Sequence, residues 1–367
     1  MLTLACAVVA AGAVSGAVAA LGGGGADTAR PTATASPVVP LPAVPTSAPA
    51  APSPTRAAPR PVRPSTAASK PPAAPAPAWA AISAALYRSP DSQVLDWIRA
   101  HPDDPRRPVI ERRIADRPTA VWFTEYDPGA ITARVRAVTS AAAAQGRAPV
   151  LVPYAIPGRD CGGASQGGAP DLAAYDTWMG NFAAGLGRSP VIVVLEPDAI
   201  AQSDCLSEGE RAARFASLAR AGRAVHAADA RARVYFDAGH SGWRDAGEMA
   251  ALLRAAGAAT SGDGIFTNVS NFHATADEVA YARRVLKALG GPARLGAVID
   301  TSRNGRGAPP DGQWCDPAGR ALGRAPTTRT GEARIDAYLW VKLPGESDGC
   351  RGEAGSFTPD YAYDLAR

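Results

Sequence analysis

The chain has 367 residues and a formal net charge of +4, long enough for one large α/β domain behind an N-terminal extension. Arg30, Arg56, Arg60, Arg63 and Lys70 against Asp27 place that entire charge before residue 79, so the remainder is formally neutral and offers no basic stripe to nucleic acid. Five cysteines and four scattered histidines, with no C-x-x-C or H-E-x-x-H spacing, give no metal site, and no cofactor is expected.

Residues 1–26 carry no charge, and Leu4 to Leu21 is an almost unbroken Ala/Val/Gly run ending in Ala17-Val18-Ala19, a small-residue cleavage site. This reads as an export signal or an uncleaved membrane anchor, although it lacks a positive n-region. Residues 27–78 are Pro, Ala, Ser and Thr, with Pro more than a quarter of the tract, and read as an extended, disordered tether. The expected location is therefore extracellular, with any membrane contact confined to the N-terminal segment, and the folded domain is expected to span residues 79–367 as a monomer.

Trp79 to Arg88 reads as a linking segment, and Ser89-Pro90-Asp91 as the cap of a helix running to about His101 with Val94, Leu95 and Ile98 on one face. Short apolar runs then recur at residues 120–123, 149–153, 191–195, 233–236, 264–267, 295–299 and 337–341. Ala-rich helical stretches at 131–145, 171–186, 209–228, 246–256 and 276–289 lie between them. Strand and helix alternating at this spacing predict right-handed β-α-β units, hence a parallel sheet with helices outside it, closed economically as a barrel.

Polar residues follow nearly every run. Tyr154, Glu196 with Asp198, Asp237, Asn268, Asp300 with Arg303, and Lys342 all sit at or just past the carboxyl end of a predicted strand. In a parallel barrel those ends form one rim, so they converge on one cleft. The densest case is Val191-Ile192-Val193-Val194-Leu195-Glu196-Pro197-Asp198, a doubly buried strand running into two carboxylates around a proline that ends the pairing. Asp198 could cap a following helix, but a cap does not need Glu196. The functional reading is a general acid kept protonated by the apolar strand and its acidic neighbours.

Tyr154 opens a glycine-rich loop, residues 155–168, that carries Asp160, Cys161, Ser165 and Gln166. Asp237-Ala238-Gly239-His240 leads to Trp243, which is either core or a platform for a sugar ring. A buried, hydrogen-bonded side chain accounts for His240 better than a metal ligand. Lys342, one of only three lysines against 35 arginines, precedes Glu346 and Asp348. A compact point charge is useful there, although a surface ion pair would explain it too. Setting aside Cys6 in the leader, Cys161, Cys205, Cys315 and Cys350 form two disulfides in an exported chain. Three pairings are open, and Cys161–Cys205 with Cys315–Cys350 is adopted over buried free thiols.

Several carboxylates, isolated tryptophans around a wide rim and no Ser-His-Asp order suggest glycoside hydrolysis. The motifs Leu195-Glu196-Pro197-Asp198, Gly158-Arg159-Asp160-Cys161, Phe236-Asp237-Ala238-Gly239-His240, Asp300-Thr301-Ser302-Arg303-Asn304-Gly305, Trp314-Cys315 and residues 342–350 resemble glycoside hydrolase family 6, the inverting β-1,4-glucanases. The resemblance covers roughly residues 80–367, and the motifs follow the family's order. It implies a distorted seven-stranded β/α barrel holding a β-1,4-glucan, or its cello-oligosaccharides, in the rim cleft. By position Asp198 matches the general acid, Asp160 the Asp that supports it and draws a proton from water through a solvent chain, Asp348 the disputed base, and Asp237 a second supporting acid. Tyr154 matches the tyrosine under the reacting sugar. Arg303, Lys342 and Glu346 match binding and charge-setting positions, and Trp243 and Trp314 match sugar platforms. Trp122, His240, Asn268 and Asn271 are further substrate-binding candidates. Gln166 departs from the family's water-holding Ser, a role the neighbouring Ser165 could take over. Endo action is expected because the segments inside both disulfide loops are too short to roof the cleft. The alternatives are a chain-end-acting member of the same family, a non-catalytic β-glucan-binding protein, and a retaining glycosidase on an ordinary barrel.

Overall fold

The strand Val191–Leu195 lies at the centre of the fold because its five side chains divide between two apolar layers. Val191, Val193 and Leu195 join the layer under the helices, Ile192 and Val194 fill the interior of the curled sheet, and none is more than 1% exposed. Each such burial contributes about 1.5–3 kcal/mol. The computed structural model describes residues 84–367, so the leader (1–26), the tether (27–78) and the start of the linking segment lie outside the described residues.

Two helices lead into the sheet: α1 (Gln93–Ala100), then α2 (Arg107–Ile110), which continues as a π-helical turn over Glu111–Ala115. Strands and helices then alternate as β1 (Val121–Phe123), α3 (Ile131–Ala144), β2 (Val150–Pro153), α4 (Leu172–Ala183), β3 (Val191–Leu195), α5 (Glu208–Ala228) and β4 (Ala232–Asp237). They continue with α6 (Ala246–Ala255), α7 (Ala258–Ser261), β5 (Gly264–Thr267), α8 (Thr275–Leu289), β6 (Gly296–Asp300), β7 (Ile335–Leu339) and α9 (Pro359–Ala366). All seven strands are parallel and pair in sequence order from β1 to β7. The distorted seven-stranded parallel β/α barrel read from the sequence is therefore what the chain forms.

The distortion lies at the seam. Among the described residues no ladder joins β1 to β7; instead the Ala120 N–H donates to the Trp340 carbonyl at 3.0 Å and Trp122 Nε1 to the Val341 carbonyl at 2.8 Å. Trp122 thus ties one edge strand to the chain leaving the other.

Three expectations need correction. The helix α1 begins at Gln93 with Ser92 in the cap position and no side-chain cap; Ser89 Oγ instead accepts the Asp91 N–H at 3.2 Å in the turn before it. The linking segment docks on the sheet, with Ala148 N–H donating to the Ala85 carbonyl at 2.9 Å and Tyr87 N–H to the Ala148 carbonyl at 2.8 Å, so Leu86 enters the interior core. Strand β7 starts two residues earlier than expected, at Ile335, because Asp336 is accommodated inside the sheet by the Tyr235 hydroxyl at 2.8 Å. Among the described residues no helix is long and apolar enough to cross a membrane.

Candidate active site

The chain leaves β3 in the left-handed region at both acids, with φ 49° at Glu196 and 69° at Asp198 on either side of Pro197. Asp is among the residues that tolerate that region, whereas at Glu196 it is strained, and the reversal turns both carboxyls off the strand. Glu196 is wholly buried and accepts the Ala155 N–H on both oxygens at 3.0 Å and the Ile156 N–H at 3.0 Å. Burial pushes its carboxyl up to about 7 against the pull of those two donors. It therefore sews the end of β3 to the loop leaving β2. Asp198 forms a turn, with its carbonyl accepting the Gln202 N–H at 2.9 Å, and caps no helix.

Burial, and after it the negative charges of Asp237 and Asp160, raise the Asp198 carboxyl to about 8. Asp237 is also buried and pushed up by that burial, but it accepts N–H groups from Ala201 at 2.8 Å, Gly239 at 2.9 Å and Ile200 at 3.1 Å. Those donors favour the ionised form of Asp237, so the proton of this coupled pair belongs to Asp198. A half-buried carboxyl that stays protonated at neutral pH is what proton donation to a leaving group requires.

Tyr154 stands at the end of β2, edge-on to Trp122 with ring centroids 5.3 Å apart and under the Arg159 guanidinium at 4.6 Å. Its hydroxyl is pushed well up by burial and then by the charges of Asp198 and Asp160, which puts all three groups in one field. Arg159 threads the loop together through Nε to the Ser165 carbonyl at 2.7 Å and Nη1 to the Thr124 carbonyl at 2.7 Å. Asp160 accepts the Ser165 N–H at 2.7 Å, so Ser165 is held half-buried beside it while Gln166 is exposed. Cys161 is bonded to Cys205, tying this loop to the segment that follows Asp198. Replacing both cysteines with Ser is expected to lower unfolding stability by about 2–4 kcal/mol in denaturant titrations.

His240 lies after β4, stacked on His273 with centroids 4.2 Å apart and tilted against Trp243 at 5.4 Å. Its Nδ1 faces the Gly242 N–H at 3.2 Å, and burial followed by the neighbouring His273 lowers its pKa to about 3, so it stays neutral. Trp243 is 37% exposed and Trp314 60%, the two large apolar side chains left open to solvent among the described residues. Open indoles on a rim suit stacking against a sugar face. Asn268 is placed differently: it is fully buried, and its Nδ2 is spent on the Asp300 carbonyl at 2.8 Å and the His273 carbonyl at 3.3 Å. Its neighbour Asn271 is half-buried in the same loop.

On the far side of the rim, Arg303 is completely buried and grips Asp348 with both arms, Nη1 to Oδ2 at 2.8 Å and Nη2 to Oδ1 at 3.1 Å. Lys342 Nζ lies 3.6 Å from Asp348 Oδ1 and donates to the Ser347 carbonyl at 3.1 Å. Glu346 is pushed up to about 7 by burial, against the attraction of Lys342 and Arg303. Asp300 holds the backbone here, accepting N–H groups from Ser302 at 2.9 Å and Lys342 at 3.0 Å. The second disulfide, Cys315–Cys350, closes the loop that carries Asp348. Both cysteine pairings match those adopted from the sequence.

The loops meet across the mouth. A Cβ added at Gly349 would lie 3.3 Å from the Ala164 Cβ, so the turn bearing Asp348 touches the loop bearing Asp160. That loop is bonded to the Asp198 segment, which is hydrogen-bonded to Asp237. The loops that carry the four aspartates are thus joined to one another beyond the carboxyl ends of the strands, with Asp237 fully buried. Asp316 was not singled out from the sequence, although its carboxylate accepts from several donors in the Asp348 turn. The backbone clamp by Glu196 was also missed. No group of three or more His, Cys, Asp or Glu able to hold a metal ion occurs among the described residues.

Residues 82–367 match the family of glycosyl hydrolases described as family 6. The chain is 55% identical over 282 residues to Endoglucanase 1 of Streptomyces sp. (strain KSM-9), covering 77% of each chain. It is 51% identical over 282 residues to Endoglucanase A of Thermobispora bispora, covering 77% of this chain and 61% of that relative's length. Its fold matches an endoglucanase from Mycobacterium tuberculosis solved with methyl-cellobiosyl-4-deoxy-4-thio-β-D-cellobioside, at TM-score 0.72 and 41% identity over 78% of this chain and 97% of that one. A protonatable acid, a charge-fixed aspartate and open tryptophans along one barrel mouth agree with these likenesses, and the chain belongs to family 6 of the glycosyl hydrolases.

Proposed function

We propose that the chain is an endo-acting β-1,4-glucanase that cleaves cellulose or soluble β-glucan with inversion. The observation that carries this reading is Asp198, an acid kept protonated by burial and by two neighbouring aspartates beside the Tyr154 ring. In the step inferred, Asp198 gives its proton to the glycosidic oxygen while water attacks the anomeric carbon from the opposite face of the sugar. Tyr154 lies under the reacting ring and favours its distortion. The water's proton leaves through solvent to Asp160. Asp348 is a poor base in this reading, because both of its oxygens are engaged by Arg303, one also by the Asp316 N–H at 3.1 Å, and Lys342 stands nearby. Its role is to fix negative charge and orient the rim. Trp243 and Trp314 are the sugar platforms, and Trp122, Ser165, His240, Asn271, Lys342 and Glu346 border the chain's path. Asn268 acts on the site by holding its loop.

Carboxymethyl cellulose assays test the mode of action: a steep fall in viscosity for little reducing sugar is expected, and sugar release with little loss of viscosity would favour a chain-end-acting enzyme. Proton NMR of early product tests the stereochemistry, with the α-anomer expected first. The leader is proposed to direct export, checked by fractionating cells that express the chain with and without residues 1–78.

A further inference from the structure

Asp316 lies in the long segment between β6 and β7, at no strand end, and is only 3% exposed. One of its oxygens accepts the Ser347 hydroxyl at 2.6 Å and the Cys350 and Arg351 N–H groups at 3.0 and 2.9 Å. The other accepts the Asp348 N–H at 2.8 Å. A turn with that many N–H groups converging on one point is an anion-holding concavity, and here a side chain of the protein supplies the anion. In the opposite direction the Asp316 N–H donates to Asp348 Oδ2 at 3.1 Å, beside the Arg303 contact. The left-handed backbone at Asp316, φ 45°, lets its N–H and its carboxylate address the same turn. The adjacent Cys315–Cys350 disulfide joins the two segments, but one covalent link fixes their separation and leaves the rotation of the turn free.

We propose that Asp316 is a positioning residue for hydrolysis, acting through Asp348: its carboxylate folds the 347–351 turn and its N–H aims the Asp348 carboxylate at Arg303. The proposal rests on the reading of Asp348 as a charge-fixing group of the site. Asn at position 316 turns one acceptor oxygen into a donor facing other donors, so the turn must rotate.

The test uses the full chain and a soluble chromogenic cello-oligosaccharide. Asp316→Asn is expected to lower kcat by about 10–100-fold with KM changed by less than about threefold. In an Asp348→Asn background the same change is expected to cost less than about twofold, since the residue through which it acts is already disabled. An unchanged kcat, or an equal loss in both backgrounds, would overturn the proposal. An unchanged kcat in Asp348→Asn alone would instead overturn the underlying reading of Asp348. If Asp316→Asn does not accumulate as folded protein, Ser347→Ala, which removes the hydroxyl shared by Asp316 and Gly349, carries the test. It is expected to cost about 3–10-fold with the same dependence on Asp348, and full additivity would refute the idea.

Discussion

Asp198→Asn is expected to lower kcat by about 10²–10⁴-fold, the usual contribution of a positioned general acid, while the far-UV circular dichroism stays that of the native protein. The pH behaviour is the sharper check. Because Asp198 must be protonated to work, kcat/KM of the native enzyme should fall as pH rises through the raised pKa of this residue, near 8. The residual activity of the variant should lack that alkaline limb. Stability should fall in the same direction. A carboxyl whose folded pKa lies above its unfolded value binds more protons when folded, so it withdraws stability as pH rises through that window. Asn cannot ionise, and the variant should therefore lose less melting temperature than the native protein between about pH 5 and pH 9. Near-native turnover, or an unaltered alkaline limb, would remove Asp198 as the acid.

Arg303→Met is expected to be among the most damaging single changes to stability. Arg303 is fully buried and Asp348 nearly so, and the change removes both guanidinium contacts, leaving that carboxylate with Lys342 at 3.6 Å and one N–H donor. Breaking such a pair typically costs about 3–5 kcal/mol, which chemical denaturation should register, and kcat/KM should fall by about two orders of magnitude. Replacing both partners, Arg303→Met with Asp348→Leu, separates the two effects. The double variant should recover most of the stability, since no unpaired charge remains, and none of the activity. Recovery of activity in the double variant would show that this pair has no part in the chemistry.

The legibility of the chain followed its burial. Residues 191–195 were read with the observed bounds because five consecutive apolar residues leave one interpretation, and 264–267 likewise. Strand β7 was misread by two residues because Asp336 interrupts its pattern and Trp340-Val341 continues the apolar run past the end of the ladder. The helix α2 and its π-helical extension were hidden by Pro108 and by arginines at four of the positions between 106 and 113. The short α9 begins at a proline and has only eight residues, fewer than the stretch over which a helical repeat can be read. At the site, residues directly after strand ends were found, because strand polarity alone brings them together. Asp316 and the clamp by Glu196 act through backbone N–H groups of distant loops, and nothing in the spacing of side chains announces which N–H a carboxylate will meet.

Among the described residues, non-glycine positions with positive φ are Asp160, Cys161, Glu196, Asp198, Asn268, Ser270, Asp316 and Arg334, and every one but Arg334 lies beyond the carboxyl ends of the strands. Conformational cost is thus concentrated in the hemisphere that meets the polymer, and the opposite hemisphere carries almost none of it. Heat tolerance and turnover are for this reason addressable on different halves of the molecule. Substitutions chosen for robustness belong around the amino ends of the strands, where tightening the scaffold leaves the reactive loops their tension.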